Sequence, residues 1–218
     1  MIANLDAYQI LAISAAVMAM LMLGTTHLKG GLSFYMVHTI LVAAQAVFMG
    51  GMRTQLHEYL VPILYAGFKG VGVPIFLTYV MKKIEVDDDA GTYLPPPLCL
   101  HIGILMLGVS YLLASHMPGL VAASDAHIGA MAAMSMLFTG MLLMLTRKLA
   151  ISQLIGFLVM ENGIYVFACS HTHGMPMLVE MGILLDVLVG VIAAGLLSNS
   201  IKRSFEHIDV TKLTDLKG

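Results

Sequence analysis

Apolar residues in this chain fall into seven long, nearly unbroken runs, at about 6–26, 32–52, 59–81, 96–115, 126–146, 151–170 and 176–198, and polar residues gather in the short pieces between them. At a rise of ~1.5 Å per residue, each run is long enough to cross a hydrocarbon core of roughly 30 Å as a helix. The pattern predicts an all-α integral membrane protein with seven transmembrane helices, forming one bundle over residues 1–198 and leaving a polar tail at 199–218. No stretch between the runs is long enough for a soluble domain. The longest polar pieces are the acidic loop "KKIEVDDDAGTYLPPP" (82–97) and the tail itself.

Composition agrees with the pattern. Hydrophobic residues make up 59% of the chain and charged ones 11%, with a mean hydropathy of +0.89, far from the range of soluble domains. Charge placement adds a direction. With the N-terminus outside, Lys29, Lys82, Lys83, Arg147, Lys148, Lys202, Arg203, Lys212 and Lys217 all become cytoplasmic, only Arg53 lies outside, and Lys69 falls within a span. Short cytoplasmic loops retain Lys and Arg, so the reading is N-terminus outside, C-terminus cytoplasmic, in the inner (cytoplasmic) membrane. The first run is read as an anchor that stays, because Asp6 and no basic residue precedes it and no small-residue cleavage motif follows. A net charge of −2 argues against a nucleic-acid partner, and lipid is the expected surrounding. Asp87, Asp88 and Asp89 read as a solvated acidic loop. Cys99 and Cys169 fall near opposite ends of their spans, which excludes a disulfide between them.

The residues that need explaining are the polar ones at membrane depth. Glu161, in "LVMENGIYVF", lies close to the midplane of the sixth span, and Lys69, in "YAGFKGVGVP", is about as deep in the third. The seventh span, "MLVEMGILLDVLVGVI", carries Glu180 about one turn from its outer end and Asp186 near its centre. Each costs ~2.5–3.5 kcal/mol if charged and facing lipid, so the four are expected to face the bundle interior, a partner subunit or water. One lysine cannot neutralise three acids. The surplus carboxylates must be protonated, hydrated or paired elsewhere, and groups poised in that way can pass protons. Glu180 and Asp186 are six residues apart, which puts them ~120° apart around the helix and ~9 Å apart along it. One of them can therefore face Glu161 across the short hairpin "CSHTHGMP" while the other faces a different subunit. Asp186 as a neutral acid bonded to a backbone carbonyl is the plainer alternative.

Other motifs carry less. His38 and His101, in the cytoplasmic halves of spans two and four, are candidate accessory members of a proton wire, against the simpler reading of a histidine bonded to a helix carbonyl. "CSHTHGMPM" clusters Cys169, His171, His173, Met175 and Met177, soft ligands for a metal such as copper(I). With 19 methionines in the chain, an ordinary hairpin accounts for them as well, and no metal site is assigned. "GFKGVG" has glycines near a lysine but lacks the strand-then-helix setting of a phosphate loop. Its glycines suit close helix approach or a local bulge beside Lys69.

The stretches "GFLVMENG", "PMLVEMGILLDVLVGVI", "FKGVGVPIFLTYV" and the ending "DVTKLTDLKG" resemble the hydrogenase-4 component E family, membrane proteins of hydrogenase-4 and related formate hydrogenlyase-type complexes. Within that resemblance the chain divides into four N-terminal helices (1–115) and a three-helix unit (126–198) similar to the chain K (4L-type) subunit of respiratory complex I. That subunit has two intramembrane glutamates, which by motif correspond to Glu161 and Glu180. The resemblance implies a non-catalytic membrane-arm subunit of a group 4 [NiFe] hydrogenase-type energy-converting complex, contributing to proton or sodium translocation. Its implied partners are antiporter-like and quinone-chamber-like membrane subunits and peripheral hydrogenase and iron–sulfur subunits. The four extra spans, Lys69 and Asp186 depart from the complex I chain.

The chain is not expected to be an enzyme by itself. [NiFe] and iron–sulfur centres need several cysteines, and two separated ones cannot hold them, so these cofactors are expected in the partner subunits. Beside the hydrogenase-type subunit stand two other classes, a subunit of a cation/proton antiporter complex and a purely structural membrane scaffold.

Overall fold

Because these helices are apolar on every side, the usual amphipathic stripe is missing, and side-chain size decides which face turns inward. In a lipid environment close backbone approach drives helix association, which favours small residues at contacts. α1 (Ala7–Leu23) buries Ala12, Ala15, Ala16 and Ala19 and points Ile10, Val17 and Leu21 outward. It is followed by α2 (Leu28–Met49), α3 (His57–Tyr65), α4 (Val73–Lys83), α5 (Pro96–His116), α6 (Ser124–Thr146) and α7 (Ala150–Thr172). α5 sorts in the same way, burying Cys99, Gly103, Ser110 and Ala114, whereas α4 buries Leu77, Val80 and Met81. A π-helical stretch, Ala66–Gly72, joins α3 to α4 without a turn. This computed structural model describes residues 6–49, 57–83, 91–117 and 124–172, with isolated helical positions at 190 and 195.

Among the described residues all regular structure is helical, and five helices are long and apolar enough to cross a membrane. α1, at 17 residues, is apolar but shorter. The expected runs are therefore present as helices from the first to the sixth. The seventh, with Glu180 and Asp186, lies outside the described residues, as does the tail. α2 starts four residues earlier than the apolar run suggests, so Lys29 sits exposed in its first turn rather than in a loop.

The tightest pairing is α6 against α7. Gly140 and Gly156 face each other so closely that a Cβ on Gly140 would lie 2.5 Å from the Gly156 carbonyl oxygen, and one on Gly156 2.8 Å from the Gly140 oxygen. Two turns along, a Cβ on Gly163 would lie 2.8 Å from the Ala133 oxygen. Glycines seven residues apart on α7 thus mark one seam, which fixes the rotation of α7 and with it the side on which Glu161 lies.

The end of the bundle where α1 finishes is locked by polar contacts. Arg147, just beyond α6, is buried, and its Nη2 donates to the Met22 carbonyl at 2.8 Å and the Leu23 carbonyl at 3.4 Å. Both carbonyls belong to the last turn of α1, where a helix leaves oxygens without intrahelical partners, and the Met22 oxygen also accepts from Thr25 N–H at 3.3 Å. Tyr93 N–H donates to the Thr146 carbonyl at 2.8 Å, and Gly91, at a φ of 56° where a side chain would be strained, lets the loop before α5 meet the α6–α7 turn.

Candidate functional site

At the middle of the bundle three helices present polar groups at one depth. Glu161 is the central residue of α7, Lys69 lies one residue from the centre of the continuous run from His57 to Lys83, and His38 is at the centre of α2. Lys69 Nζ stands 2.9 Å from Glu161 Oε2, with each side chain only 4% exposed. Those values make it a buried salt bridge, so its charges are barely screened.

The π-helix places the lysine. Val73 N–H bonds the Phe68 carbonyl, five residues back. Pro74 has no N–H to offer the carbonyl four residues before it, so the ordinary helical ladder cannot continue there. Gly70 packs toward α2, where a Cβ would lie 3.5 Å from Ile40 and 3.7 Å from Thr39 side-chain atoms, ordinary contact distances. Lys69 is thereby turned inward, and its Nζ also lies 5.3 Å from the centroid of the Tyr65 ring, within cation–π range.

A neutral network runs beside the pair. Tyr65 O–H donates to Asn162 Oδ1 at 2.5 Å, and Asn162 Nδ2 donates to Thr39 Oγ1 at 2.9 Å. All three residues are buried. The Tyr65 ring stacks on Tyr165, one turn along α7 from Glu161, at 4.5 Å between centroids. α2, α3 and α7 are thus joined by hydrogen bonds in the same layer as the charges. His38 adds α1, through Nδ1 at 2.8 Å from the Ala15 carbonyl oxygen.

Of the residues singled out from the sequence, Lys69 and Glu161 are brought together and His38 is placed in the same layer. His101 is not. It lies on the exposed face of α5, with Nδ1 at 2.6 Å from the Pro97 carbonyl oxygen. Glu180 and Asp186 lie outside the described residues. Sequence reasoning missed Tyr65, Thr39 and Asn162 as members of the site, although Asn162 adjoins Glu161, Thr39 adjoins His38, and Tyr65 is one turn from Lys69. Among the described residues no group of three or more His, Cys, Asp or Glu could hold a metal ion. Neither Cys99 nor Cys169 is in a disulfide.

Apolar membrane-length helices around a buried ion pair define a multi-pass helical membrane protein with a charged interior layer. The chain is similar to Hydrogenase-4 component E of Escherichia coli (strain K12), at 26% identity over 147 residues, 67% of each chain. The Shigella flexneri protein of the same name gives the same figures. A Mycobacterium tuberculosis protein described as uncharacterized is 41% identical over 86 residues, and the match spans 39% of each chain. No family model and no solved structure matches the chain.

Proposed function

We propose that this chain is a non-catalytic membrane subunit of a hydrogenase-type energy-converting complex, and that Lys69 and Glu161 form a charge-coupling site for proton or sodium movement. The observation that carries the reading is the buried Lys69–Glu161 pair at the middle of the bundle. Similarity to Hydrogenase-4 component E supports the kind of complex. Glu180 is the second carboxylate of the path, as in the paired glutamates of the chain K-type subunit, and Asp186 offers a further acid. Antiporter-like and quinone-chamber-like subunits flank the chain in the cytoplasmic membrane. Peripheral subunits hold the [NiFe] and iron–sulfur centres and carry out the redox chemistry.

The physical logic is that a buried pair is a two-state element. While Lys69 is protonated and Glu161 ionised, each stabilises the other's charge. A proton or cation reaching Glu161 removes that stabilisation from the Lys69 ammonium and raises its energy, which favours release of the lysine's own proton onward. The same pair also ties the π-helical stretch to α7, and this favours the scaffold reading as a second possibility.

The test separates the two. Glu161→Gln keeps the size and hydrogen bonding but cannot exchange a proton. In the purified complex reconstituted in liposomes, it is expected to assemble and retain redox turnover while the ion gradient formed per turnover falls. A wild-type gradient per turnover in Glu161→Gln leaves only the scaffold.

A further inference from the structure

The two ring nitrogens of His38 are in different situations. Nδ1 lies 2.8 Å from the Ala15 carbonyl oxygen. A carbonyl only accepts, so Nδ1 carries the hydrogen, and in the neutral ring the lone pair is then on Nε2. That nitrogen is buried and has no hydrogen-bond partner. Buried polar atoms are almost always partnered, and an exception calls for a reason. Here the reason lies close by. His38 lies at the centre of α2, in the same layer as Lys69 and Glu161. Its neighbour Thr39 accepts from Asn162, the residue after Glu161, and packs against Gly70, the residue after Lys69.

We propose that His38 is the proton acceptor for Lys69, so that His38, Lys69 and Glu161 form a three-member relay, an inference that rests on the coupling role given above. In the step, the Lys69 side chain swings from Glu161 into hydrogen-bond reach of Nε2, one N–H bond of its ammonium breaks and one N–H bond forms at His38 Nε2. The lysine becomes a neutral amine and the ring an imidazolium. Only a proton moves, so no oxidant or reductant is needed. Nδ1 keeps its hydrogen on the Ala15 carbonyl throughout, which holds the ring in place while Nε2 titrates. Glu161, deprived of its counter-charge at 2.9 Å, is then primed to take up a proton in turn. Return of the proton from Nε2 to Lys69, with release of the Glu161 proton onward, resets the pair.

His38→Asn tests this directly, because the Asn amide can occupy the place of Nδ1 and keep donating to Ala15 while the titrating nitrogen is removed. In the full complex in liposomes, the variant is expected to retain assembly and redox turnover and to lose about tenfold or more of the ions moved per turnover, the scale of a lost general acid–base group. Wild-type coupling in His38→Asn beside a defective Glu161→Gln overturns the relay and leaves the coupling role of the pair intact. Wild-type coupling in both overturns the relay together with that role. A readout independent of transport is the 15N NMR signature of histidine-labelled complex at rest. Nδ1 protonated and Nε2 unprotonated supports the relay, and the opposite tautomer at His38 overturns it.

Discussion

A lysine and a glutamate 2.9 Å apart in the middle of a membrane bundle stabilise each other strongly, yet taking both out of water offsets much of that gain. Replacing such a pair by apolar residues is often neutral, whereas removing one partner costs about 3–5 kcal/mol. Lys69→Met is therefore expected to lower stability by about that amount, measured by denaturant unfolding in detergent, and Lys69→Met/Glu161→Met to recover most of it. A single variant as stable as wild type would mean that Glu161 does not depend on Lys69. The two charged residues were legible in the sequence because a charge stands out in an apolar run. Tyr65, Thr39 and Asn162 were not, since hydroxyls and amides are common on membrane helices and only their neighbours in sequence hinted at a role. His38 and His101 show the limit more sharply. On helices apolar all round no periodicity marks the inner face, so one histidine turned out buried against Ala15 and the other exposed against Pro97.

Elements were easier to read than faces. Each described apolar run is a helix, with ends shifted by up to four residues at α2, because hydrophobic length is set by the membrane rather than by caps. The glycines of "GFKGVG" suited close helix approach or a bulge, and a π-helix occupies that place. Which helices pair was not legible, since Gly140, Gly156 and Gly163 look like any other small residues until their backbones meet. Arg147 read as a marker of orientation, and it also caps α1, because its guanidinium happens to reach carbonyls more than 120 residues away in sequence. The seam yields a contrast between two glycine substitutions. Gly156→Val would place methyl groups into the α6 backbone and is expected to destabilise the bundle by at least about 1–3 kcal/mol. Gly70→Ala meets only ordinary contacts and should fold like wild type. Thermal unfolding of both in detergent checks the pair, and equal stability would contradict the close α6–α7 approach.

The whole molecule has a direction as well as a fold. Lys29, Lys82, Arg147 and Lys148 gather at the end where α1 finishes and α5 begins, and His116 lies at the opposite end. In a Cys99→Ser/Cys169→Ser background, a cysteine at exposed Lys148 should react with an impermeant thiol reagent only from the cytoplasmic side. One at exposed His116 should react only from the other side. The reverse pattern would invert the topology. Membrane class is legible in the composition, and the orientation expected from the charge pattern is what this labelling tests.

If the interior charges move ions rather than merely hold helices, removing them as a pair must separate transport from folding. The most direct measurement is the number of ions moved per redox turnover by the reconstituted complex carrying Lys69→Met/Glu161→Met, the variant in which packing is restored and titration is not. Wild-type assembly and redox turnover with ion movement lost is the predicted result. Wild-type ion movement per turnover in that double variant would contradict it.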